Sequence, residues 1–422
     1  MVAIVLLFHI CSMDKSLQSI FYNSLLDLET EDGINASGRD EIFGCIFGRD
    51  TAMTVLKILN ILKRQNQTID HNRLIDIARK ALLGLTALQG KEVNLESGEE
   101  PGKFIHEYRK DRFEHLTAGP RPWYIYPDGK LRNYDSLDAT PLALIAISKF
   151  FELTGDKDFL EKTLPSVEKG LDWLQLFGDL DNDHLLEYEL SAKRKFGGLL
   201  VQSWTDSFES LARTDGTFPP YPIAPVEIQG YAWLALKLWG KNKEAEKLKV
   251  AFNNKFLFKD GGLTFAAQAL DGEKKQITTL TGNPLLLLWA SHNGECILKN
   301  SVISDIVKRT FMPDLFDEGA GIRTMSSKSA TYNPNSDSYH NGSFWPILNG
   351  LVYEGLANWD YFAEANRLKT ASLAGLSYYQ TPIELYTKGL DGNFYEYKNI
   401  LGQTSCKKQA WSAAAGLDFL TE

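Results

Sequence analysis

Carboxylates flanked by aromatic side chains are the residues of this sequence best suited to chemistry. Asp206 follows Trp204 and Thr205, and Glu396 lies between Tyr395 and Tyr397. Apolar surroundings raise the pKa of a carboxyl group, so Asp206 is suited to the role of a general acid. Glycoside hydrolysis needs one protonated carboxyl group and one ionised carboxylate. The pattern therefore favours carbohydrate hydrolysis.

Spacing alone leaves other interpretations of these carboxylates open. Asp206 could instead cap a helix that begins near Phe208. Glu384 lies twelve residues before Glu396 and is a rival for the second carboxylate. Either glutamate could also be an ordinary solvated surface residue.

Two short motifs place opposite charges side by side. Arg49 and Asp50 are adjacent in Phe47–Thr51, and His106 and Glu107 are adjacent in Pro101–Arg109. Such groups can hold sugar hydroxyls with paired hydrogen bonds, or they can fix loops as Arg–carboxylate pairs. Both interpretations remain open at this level.

No motif predicts a metal or a cofactor. Asp179–Asp183 imitates the start of a calcium loop, but His184 replaces the sixth-position glycine and Leu190 the final glutamate. A turn that ends a helix is the better interpretation. Nucleotide-binding, zinc-protease and serine-esterase signatures are missing from the sequence.

Helical periodicity dominates the elements that must position these residues. Apolar side chains recur at a period of 3.6 in twelve segments, at approximately 16–29, 51–65, 70–89, 138–154, 157–177, 225–240, 242–255, 283–293, 301–311, 342–357, 360–378 and 408–420. Strand signals are limited to short stretches such as 198–203 and 262–267. No linker divides the chain, so we expect one all-α domain over residues 1–422, with six helical hairpins closed into an (α/α)6 toroid. Periodicity alone would equally allow an α-solenoid, although no fixed-period repeat supports one.

Long loops between the helices are the expected location of the site. They span residues 90–135, 178–223 and 313–341 and contain Trp, Tyr and His side chains. Loops of this length in a compact domain are usually functional or disordered, and aromatic residues disfavour disorder.

Composition excludes several classes of partner. The 45 Lys and Arg against 54 Asp and Glu give a net charge of −9, which disfavours nucleic acid and anionic membranes. The four cysteines form no Cys-x-x-Cys pair, which predicts a reducing, cytoplasmic location. Residues 1–13 are apolar but too short to span a bilayer, and we interpret them as a buried first segment or an over-extended start before Met13. The expected partner is a small carbohydrate, and no signal indicates an oligomeric state.

Nine motifs together resemble, in order, the glucosidase domain of glycogen-debranching enzymes and its relatives. They are FGRDT (47–51), PGKFIHEYR (101–109), DSLDATP (135–141), DLDNDHLLEY (179–188), QSWTDS (202–207), PIAPVEIQGY (222–231), GIRT (321–324), YNPNSDSYHNGSFWP (332–346) and SCKKQAW (405–411). The resemblance covers nearly the whole chain and implies an (α/α)6 barrel with inverting α-glycoside hydrolysis.

The resemblance also implies roles for individual residues. Asp206 matches the general acid, and Glu396 matches the general base because it precedes the loop leading into the last motif; Glu384 lies too far upstream for that register. Residues implied to hold or wall the sugar are Arg49, Asp50, His106, Glu107, Trp204, Gln229, Tyr339, His340, Asn341 and Trp345.

Three functions remain as hypotheses. The first is an α-1,6-glucosidase acting on short branched glucans. The second is a hydrolase of glucosylglycerate or mannosylglycerate, for which Arg109, Arg121 and Lys195 could bind the glycerate carboxylate. The third is a sugar-binding barrel without catalysis, which the presence of both carboxylates disfavours.

Overall fold

The fold is built mainly from helices. The structure is a computed structural model that describes residues 2–64 and 69–421, with side chains from Lys15 onward apart from that gap. The helices within these ranges are α1 (Val2–Asp27), α2 (Gly48–Leu62), α3 (His71–Ala87), α4 (Glu114–Thr117), α5 (Ala139–Thr154), α6 (Lys157–Leu176), α7 (Val226–Leu238), α8 (Asn242–Lys255), α9 (Leu286–Trp289), α10 (Asn300–Thr310), α11 (Pro346–Asn358), α12 (Phe362–Tyr379) and α13 (Ala410–Leu420).

Eleven of the twelve predicted helical segments correspond to helices of eleven residues or more. The exception is the segment 283–293, where a 3-10 turn at Asn283–Leu285 leads into α9, which has only four residues. The predictions for residues 1–13 and for Cys11 fall on side chains outside the described part of the chain.

Short antiparallel strands connect the helices. They are β1 (Glu29–Thr30), β2 (Gly33–Ile34), β3 (Ile46–Phe47), β4 (Glu107–Arg109), β5 (Leu131–Asn133), β6 (Ala224–Pro225), β7 (Leu257–Asp260), β8 (Leu263–Ala266), β9 (Ala269–Leu270), β10 (Gln276–Ile277), β11 (Ser291–His292), β12 (Glu295–Cys296), β13 (Phe316–Asp317), β14 (Gly321–Ile322), β15 (Tyr386–Lys388) and β16 (Phe394–Glu396). The predicted strand at 262–267 is confirmed as β8. The one predicted at 198–203 is wrong, because its Gln202 carbonyl accepts a single bond from the Leu137 N–H and no ladder forms.

Six helices contact one another in a closed order. The sequence of contacts runs α2, α5, α7, α9, α11, α13 and back to α2. These helices are almost entirely buried, apart from single faces near their ends. The remaining long helices pack outside them, with α3, α6, α8 and α12 each contacting the preceding inner helix and α1 contacting α13.

Glycine permits the closest approach between inner helices. A Cβ atom on Gly355 of α11 would lie 2.6 Å from the backbone nitrogen of Trp289 in α9. Real Cβ contacts are not this short, so any side chain here would force the two helices apart.

A buried ionic network joins the first and last inner helices. The Lys57 ammonium of α2 pairs with the Asp418 carboxylate of α13 and donates to the Gly350 carbonyl of α11 at 3.1 Å. Arg64 and Asn60 also contact Asp418, at 2.9 and 3.1 Å. Lys57 and Asp418 have no solvent exposure, so their charges are compensated within the network, in which Lys57 also lies 3.3 Å from Glu354.

Within residues 2–64 and 69–421, no helix combines the length and the apolar character that crossing a bilayer requires.

Candidate active site

A pocket of about 260 Å³ lies where the loops gather above the inner helices. It is lined by nine of the predicted site residues: Arg49, Asp50, His106, Glu107, Trp204, Asp206, Tyr339, His340 and Trp345. Residues more than 290 positions apart therefore share one cavity.

Backbone geometry at the start of α2 positions Arg49 and Asp50. The Gly48 N–H donates to the His106 carbonyl at 2.9 Å, and a Cβ on Gly48 would meet the Ile105 carbonyl oxygen at 1.9 Å. Only glycine allows this approach, which brings the first turn of α2 against β4. Arg49 and Asp50 consequently point into the pocket beside His106 and Glu107.

Arg49 is the centre of a buried network of carboxylates. Its guanidinium donates to Asp206 Oδ2 and to Asp50 Oδ1, both at 3.2 Å, and to the Ser203 carbonyl at 3.1 Å. It also lies 3.8 Å from Asp138. The Arg–carboxylate interpretation and the sugar-binding interpretation of this motif are thus compatible, because the pair also lines the cavity.

Asp206 does not cap the short 3-10 helix that follows it. That turn, Phe208–Ser210, has Ser207 at its N-cap position and no side-chain cap hydrogen bond. Burial raises the pKa of Asp206 to about 6, although the Arg49 guanidinium opposes the shift. A carboxyl group with this pKa retains a proton closer to neutral pH than a surface aspartate does.

The structure brings Glu384, rather than Glu396, into the same pocket as Asp206. Glu384 is 2% exposed; its Oε1 accepts a hydrogen bond from the Tyr339 hydroxyl at 2.5 Å and its Oε2 one from the Cys406 N–H at 2.9 Å. Burial raises the pKa of Glu384 to about 7, while the two donors oppose the rise.

Glu396 lies at the end of β16 and does not line the pocket. Its side chain is 33% exposed and pairs with Lys407. The β15–β16 hairpin separates the two glutamates: β16 returns antiparallel, so that Glu396 pairs with Tyr386, two residues after Glu384. Of the two glutamates weighed in the sequence, the structure therefore places Glu384 and not Glu396 beside the pocket, and the role of either stays a prediction.

Two further predicted binding residues also lie outside the pocket. Gln229 in α7 accepts from the Leu186 N–H at 2.9 Å and donates to the Leu186 carbonyl at 2.7 Å, so it fixes a loop. Asn341 donates to the Thr331 carbonyl at 3.0 Å and accepts from Ser338 at 3.1 Å. Through these hydrogen bonds both side chains stabilise the conformation of loops around the site.

Aromatic rings form one wall. The His340 and Trp345 rings stack with centroids 4.6 Å apart, and Trp204 meets both edge-on at 5.6 and 5.8 Å. Trp204 is itself held by a 3.2 Å hydrogen bond to Asn283 Oδ1. Burial lowers the pKa of His340 and of His106 well below the usual range, so both rings are neutral at physiological pH.

Several lining residues lie outside the set of catalytic and sugar-binding residues predicted from the sequence. Besides Glu384, they include Phe47, Arg109, Trp123, Gln403, Gln409 and Trp411. Trp411, in the first turn of α13, lies 5.5 Å from the Arg49 guanidinium and closes the cavity. Glu384 did have a weak signal, because it stands between Ile383 and Leu385, which are fully buried.

Carboxylates near the predicted calcium-like turn are already compensated by lysines. Asp179, Asp181, Asp183 and Glu187 present oxygens within 4.8 Å of one another. The Lys274 ammonium lies 3.0 Å from both Asp181 and Asp183, and it also pairs with Glu187. Asp179 accepts from the His184 N–H at 3.0 Å, as expected for a turn.

Two carboxylates and an aromatic wall share this pocket, and the family match of the chain defines its class as that of a glycoside hydrolase. Residues 122–418 match the amylo-alpha-1,6-glucosidase family, and the chain belongs to that family. A comparison with curated proteins gives no match.

Solved structures with a similar fold include those of glycoside hydrolases. A GH63 mannosylglycerate hydrolase from Thermus thermophilus, in complex with glucose, aligns over 95% of this chain and 99% of its own at 15% identity, with a TM-score of 0.65. The same enzyme with Tris and D-glycerate gives 14% identity, the same coverage and a TM-score of 0.64. A metal-independent alpha mannosidase of Streptococcus pneumoniae with alpha-1,6-mannobiose aligns over 97% and 93%, at 13% identity and a TM-score of 0.59. At these identities the likeness is one of fold.

Proposed function

We propose that the protein is an inverting hydrolase of neutral α-glycosides, with Asp206 as general acid and Glu384 as general base. The observation that carries this proposal is that the half-buried Asp206 and the buried Glu384 line one pocket. Glu396, which the sequence favoured as the base, is exposed, paired with Lys407 and outside the lining.

The ionisation of the pair allows one of the two carboxyl groups to be protonated while the other is ionised. Both pKa values are raised, to about 6 and about 7, and the charge of Asp206 contributes to the rise at Glu384. Two coupled carboxyl groups lose their protons in two steps as the pH rises. Between these two steps the pair holds a single proton. Substrate hydrolysis by inversion needs one carboxyl group protonated and the other ionised.

Fixed hydrogen-bond donors stabilise the ionised form of Glu384, which is the form that a base requires. The Tyr339 hydroxyl and the Cys406 N–H each donate to one of its oxygens, which stabilises the carboxylate. In the reaction, Asp206 donates its proton to the departing glycosidic oxygen. Glu384 accepts a proton from the water that attacks the anomeric carbon from the opposite face.

The remaining pocket residues are proposed to bind the sugar whose bond is cleaved. Asp50 and Glu107 can accept hydrogen bonds from sugar hydroxyls, while Arg49 and His106 can donate to them. The rings of Trp204, Tyr339, His340 and Trp345 offer apolar surface to the C–H face of the sugar.

We also propose that the six inner helices and their outer partners form an (α/α)6 toroid within a single domain. The closed order of contacts among α2, α5, α7, α9, α11 and α13 supports this architecture. The short α9 is the least regular member of the ring. The cytoplasmic location inferred from cysteine usage stays a prediction.

The charges in the pocket favour a neutral leaving group over a glycerate. Each cation there is occupied: Arg109 pairs with Glu107 and donates to the Ile42 and Arg112 carbonyls, and Arg49 serves Asp206 and Asp50. Arg121 and Lys195, the other predicted glycerate ligands, do not line the cavity. An α-linked glucose oligosaccharide, with α-1,6 linkages first, is therefore the substrate we propose.

Three amide variants test the catalytic roles. Asp206→Asn and Glu384→Gln should each abolish turnover of isomalto-oligosaccharides, with melting temperatures near that of the wild type, whereas Glu396→Gln should keep most activity. Anomer-resolved NMR of the first product should show inversion. Loss of activity in Glu396→Gln with retention in Glu384→Gln would restore the base to Glu396, and a retained anomer would refute both roles.

Sugar binding without hydrolysis by the wild type, across α-linked disaccharides and limit dextrin, would instead support a binding barrel that has lost catalysis.

A further inference from the structure

A second pocket, of about 150 Å³, opens beside the loop that follows α3. It is bounded by residues 93–103, by the end of α6 and by the segment 187–202. The second pocket shares no lining residue with the candidate active site. A molecule bound in the second pocket would therefore be distinct from the substrate in the candidate active site.

The rim of the second pocket is apolar and open to solvent. Val93, Leu95 and Leu180 line it, and they are 70%, 44% and 43% exposed. Single exposed apolar side chains are common, but three at the mouth of one polar cavity form a surface that a ligand could cover.

Arg194, which lines the second pocket, has buried hydrogen-bond donors without acceptors. The residue is 6% exposed, and its Nη1 donates to both oxygens of Asp135, at 2.7 and 2.9 Å. Its Nε and Nη2 have no hydrogen-bond partner within residues 15–64 and 69–421. Buried donors left unpaired are costly, so a ligand oxygen at this place would gain stabilisation.

The other charges in the pocket exclude an anionic ligand. Five carboxylates line it, from Glu99, Glu100, Asp135, Glu187 and Glu189, against two cations, Lys103 and Arg194. A neutral polyhydroxyl compound can bind both the cations and the carboxylates, because its hydroxyls accept hydrogen bonds from Arg194 and donate hydrogen bonds to carboxylates. The Trp173 and Tyr188 rings and the apolar rim suit the C–H face of such a compound.

We propose that this pocket is a second, non-catalytic binding site for one ring of a neutral sugar. Its volume is below the roughly 300–1,000 Å³ of pockets for drug-sized ligands, which limits the occupant to about a single ring. The site goes beyond the proposed hydrolysis. The segment from Arg194 to Asp206 contributes residues to both pockets, so the second site lies next to the loop that carries the proposed acid.

Trp173 provides a local probe. The protein is labelled with 5-fluorotryptophan, the ¹⁹F resonance of Trp173 is assigned with Trp173→Phe, and D-glucose and D-mannose are titrated. We expect saturable movement of this resonance with at least one sugar, at a dissociation constant on the order of millimolar. Because monosaccharides contain no glycosidic bond, the result does not depend on the proposed hydrolysis.

Variants at the rim separate specific binding from a general solvent effect. Leu95→Ser combined with Leu180→Ser should weaken sugar binding about tenfold, because it removes apolar contact area. Val250→Ser, which changes an exposed apolar residue on α8, should leave binding unchanged. The proposal is overturned if Trp173 is silent while the tryptophans of the active site respond, or if the rim variant binds like the control. It is also overturned if inorganic phosphate moves the Trp173 resonance and neither sugar does.

Discussion

The Tyr339 hydroxyl donates a 2.5 Å hydrogen bond to Oε1 of Glu384, 45 residues further along the chain. The Tyr339 ring also packs against Trp345 and Tyr397, at centroid distances of 5.1 and 4.9 Å. One tyrosine therefore links the aromatic wall of the pocket to the proposed base. This contact lowers the pKa of Glu384 against the effect of burial.

Removal of that hydroxyl should shift the pH profile. In Tyr339→Phe the pKa of Glu384 rises, so a higher pH is needed to ionise the base. A hydrogen bond to a charged group contributes about 1.5–3 kcal/mol, which corresponds to about one to two pKa units. We expect the acidic limb of kcat/KM to move up by about one pH unit.

Tyr397→Phe is the matched control, because the Tyr397 ring packs against the Tyr339 ring while its hydroxyl interacts with Asn399. The acidic limb of the kcat/KM profile of Tyr397→Phe should stay at the wild-type pH. An unchanged limb in Tyr339→Phe, or equal shifts in the two variants, would contradict the role of the hydroxyl.

The leaving group is expected to be uncharged. α-Glucosylglycerol should be hydrolysed with a kcat/KM at least about tenfold above that of α-glucosylglycerate, because both arginines of the pocket are occupied and a carboxylate would meet no free cation. The two substrates differ in one charged group, so the ratio reports on charge.

A new cation at position 403 should weaken that preference, because Gln403 lines the pocket. Gln403→Lys should lower the ratio of the two kcat/KM values, while Gln403→Met should leave it unchanged. Faster hydrolysis of the glycerate by the wild-type protein would refute the proposed neutral leaving group and leave the catalytic pair untouched.

Glu227 should make the fold less stable at high pH. Burial raises its pKa from 4.5 to about 8, so the folded protein holds a proton that the unfolded chain has released. Its contribution to stability therefore falls as the pH rises from about 4.5 to about 8. Glu227→Gln keeps an acceptor for Asn283 and removes the ionisation.

Melting temperatures at pH 5 and pH 9 measure this effect. The melting temperature of Glu227→Gln should rise relative to that of the wild type between pH 5 and pH 9. The corresponding gain in the free energy of unfolding is up to a few kcal/mol. The exposed Glu161→Gln, on α6, should show the same difference at both pH values. A variant that gains nothing at pH 9 would contradict the prediction.

Asp418→Asn should destabilise the protein by about 3–5 kcal/mol, because it removes the fully buried partner of the Lys57 ammonium and leaves Lys57 with Glu354 alone, at 3.3 Å. The control is Asp27→Asn, whose ion pair with Lys408 lies on the surface and contributes about 0–1 kcal/mol. Urea unfolding compares the two variants. Equal midpoints would show that the buried pair does not hold α2 against α13.

Sequence reasoning succeeded where a local pattern determines the structure. The stripe from Leu74 to Leu85 defines one face of α3, and those residues are buried. It failed at α9, where Asn283 and Pro284 open a 3-10 turn and the apolar run is buried on all sides. A run without polar residues carries no periodicity, so its helical length could not be determined.

The candidate site shows the same division. Motifs that contain their own neighbours, such as Arg49 with Asp50, pointed to the pocket correctly. The choice between Glu384 and Glu396 depends on a hairpin, and on the mutual hydrogen bonds between Glu384 and Cys406 across 22 residues. Distance along the chain does not reveal which of two carboxylates a hairpin turns inward.

The pairing of Lys57 with Asp418 has a consequence for biosynthesis. The helix α13 is made after the other inner helices, and both the Asp418 carboxylate and Trp411 of the pocket belong to it. A nascent chain that still lacks α13 has a Lys57 paired with Glu354 alone and a pocket without Trp411. Native contacts across some 360 residues must then form at the end, as in slow-folding proteins of high contact order. Premature termination or proteolysis near Gln409 would therefore yield a chain without hydrolytic activity, even though it keeps both proposed catalytic carboxylates.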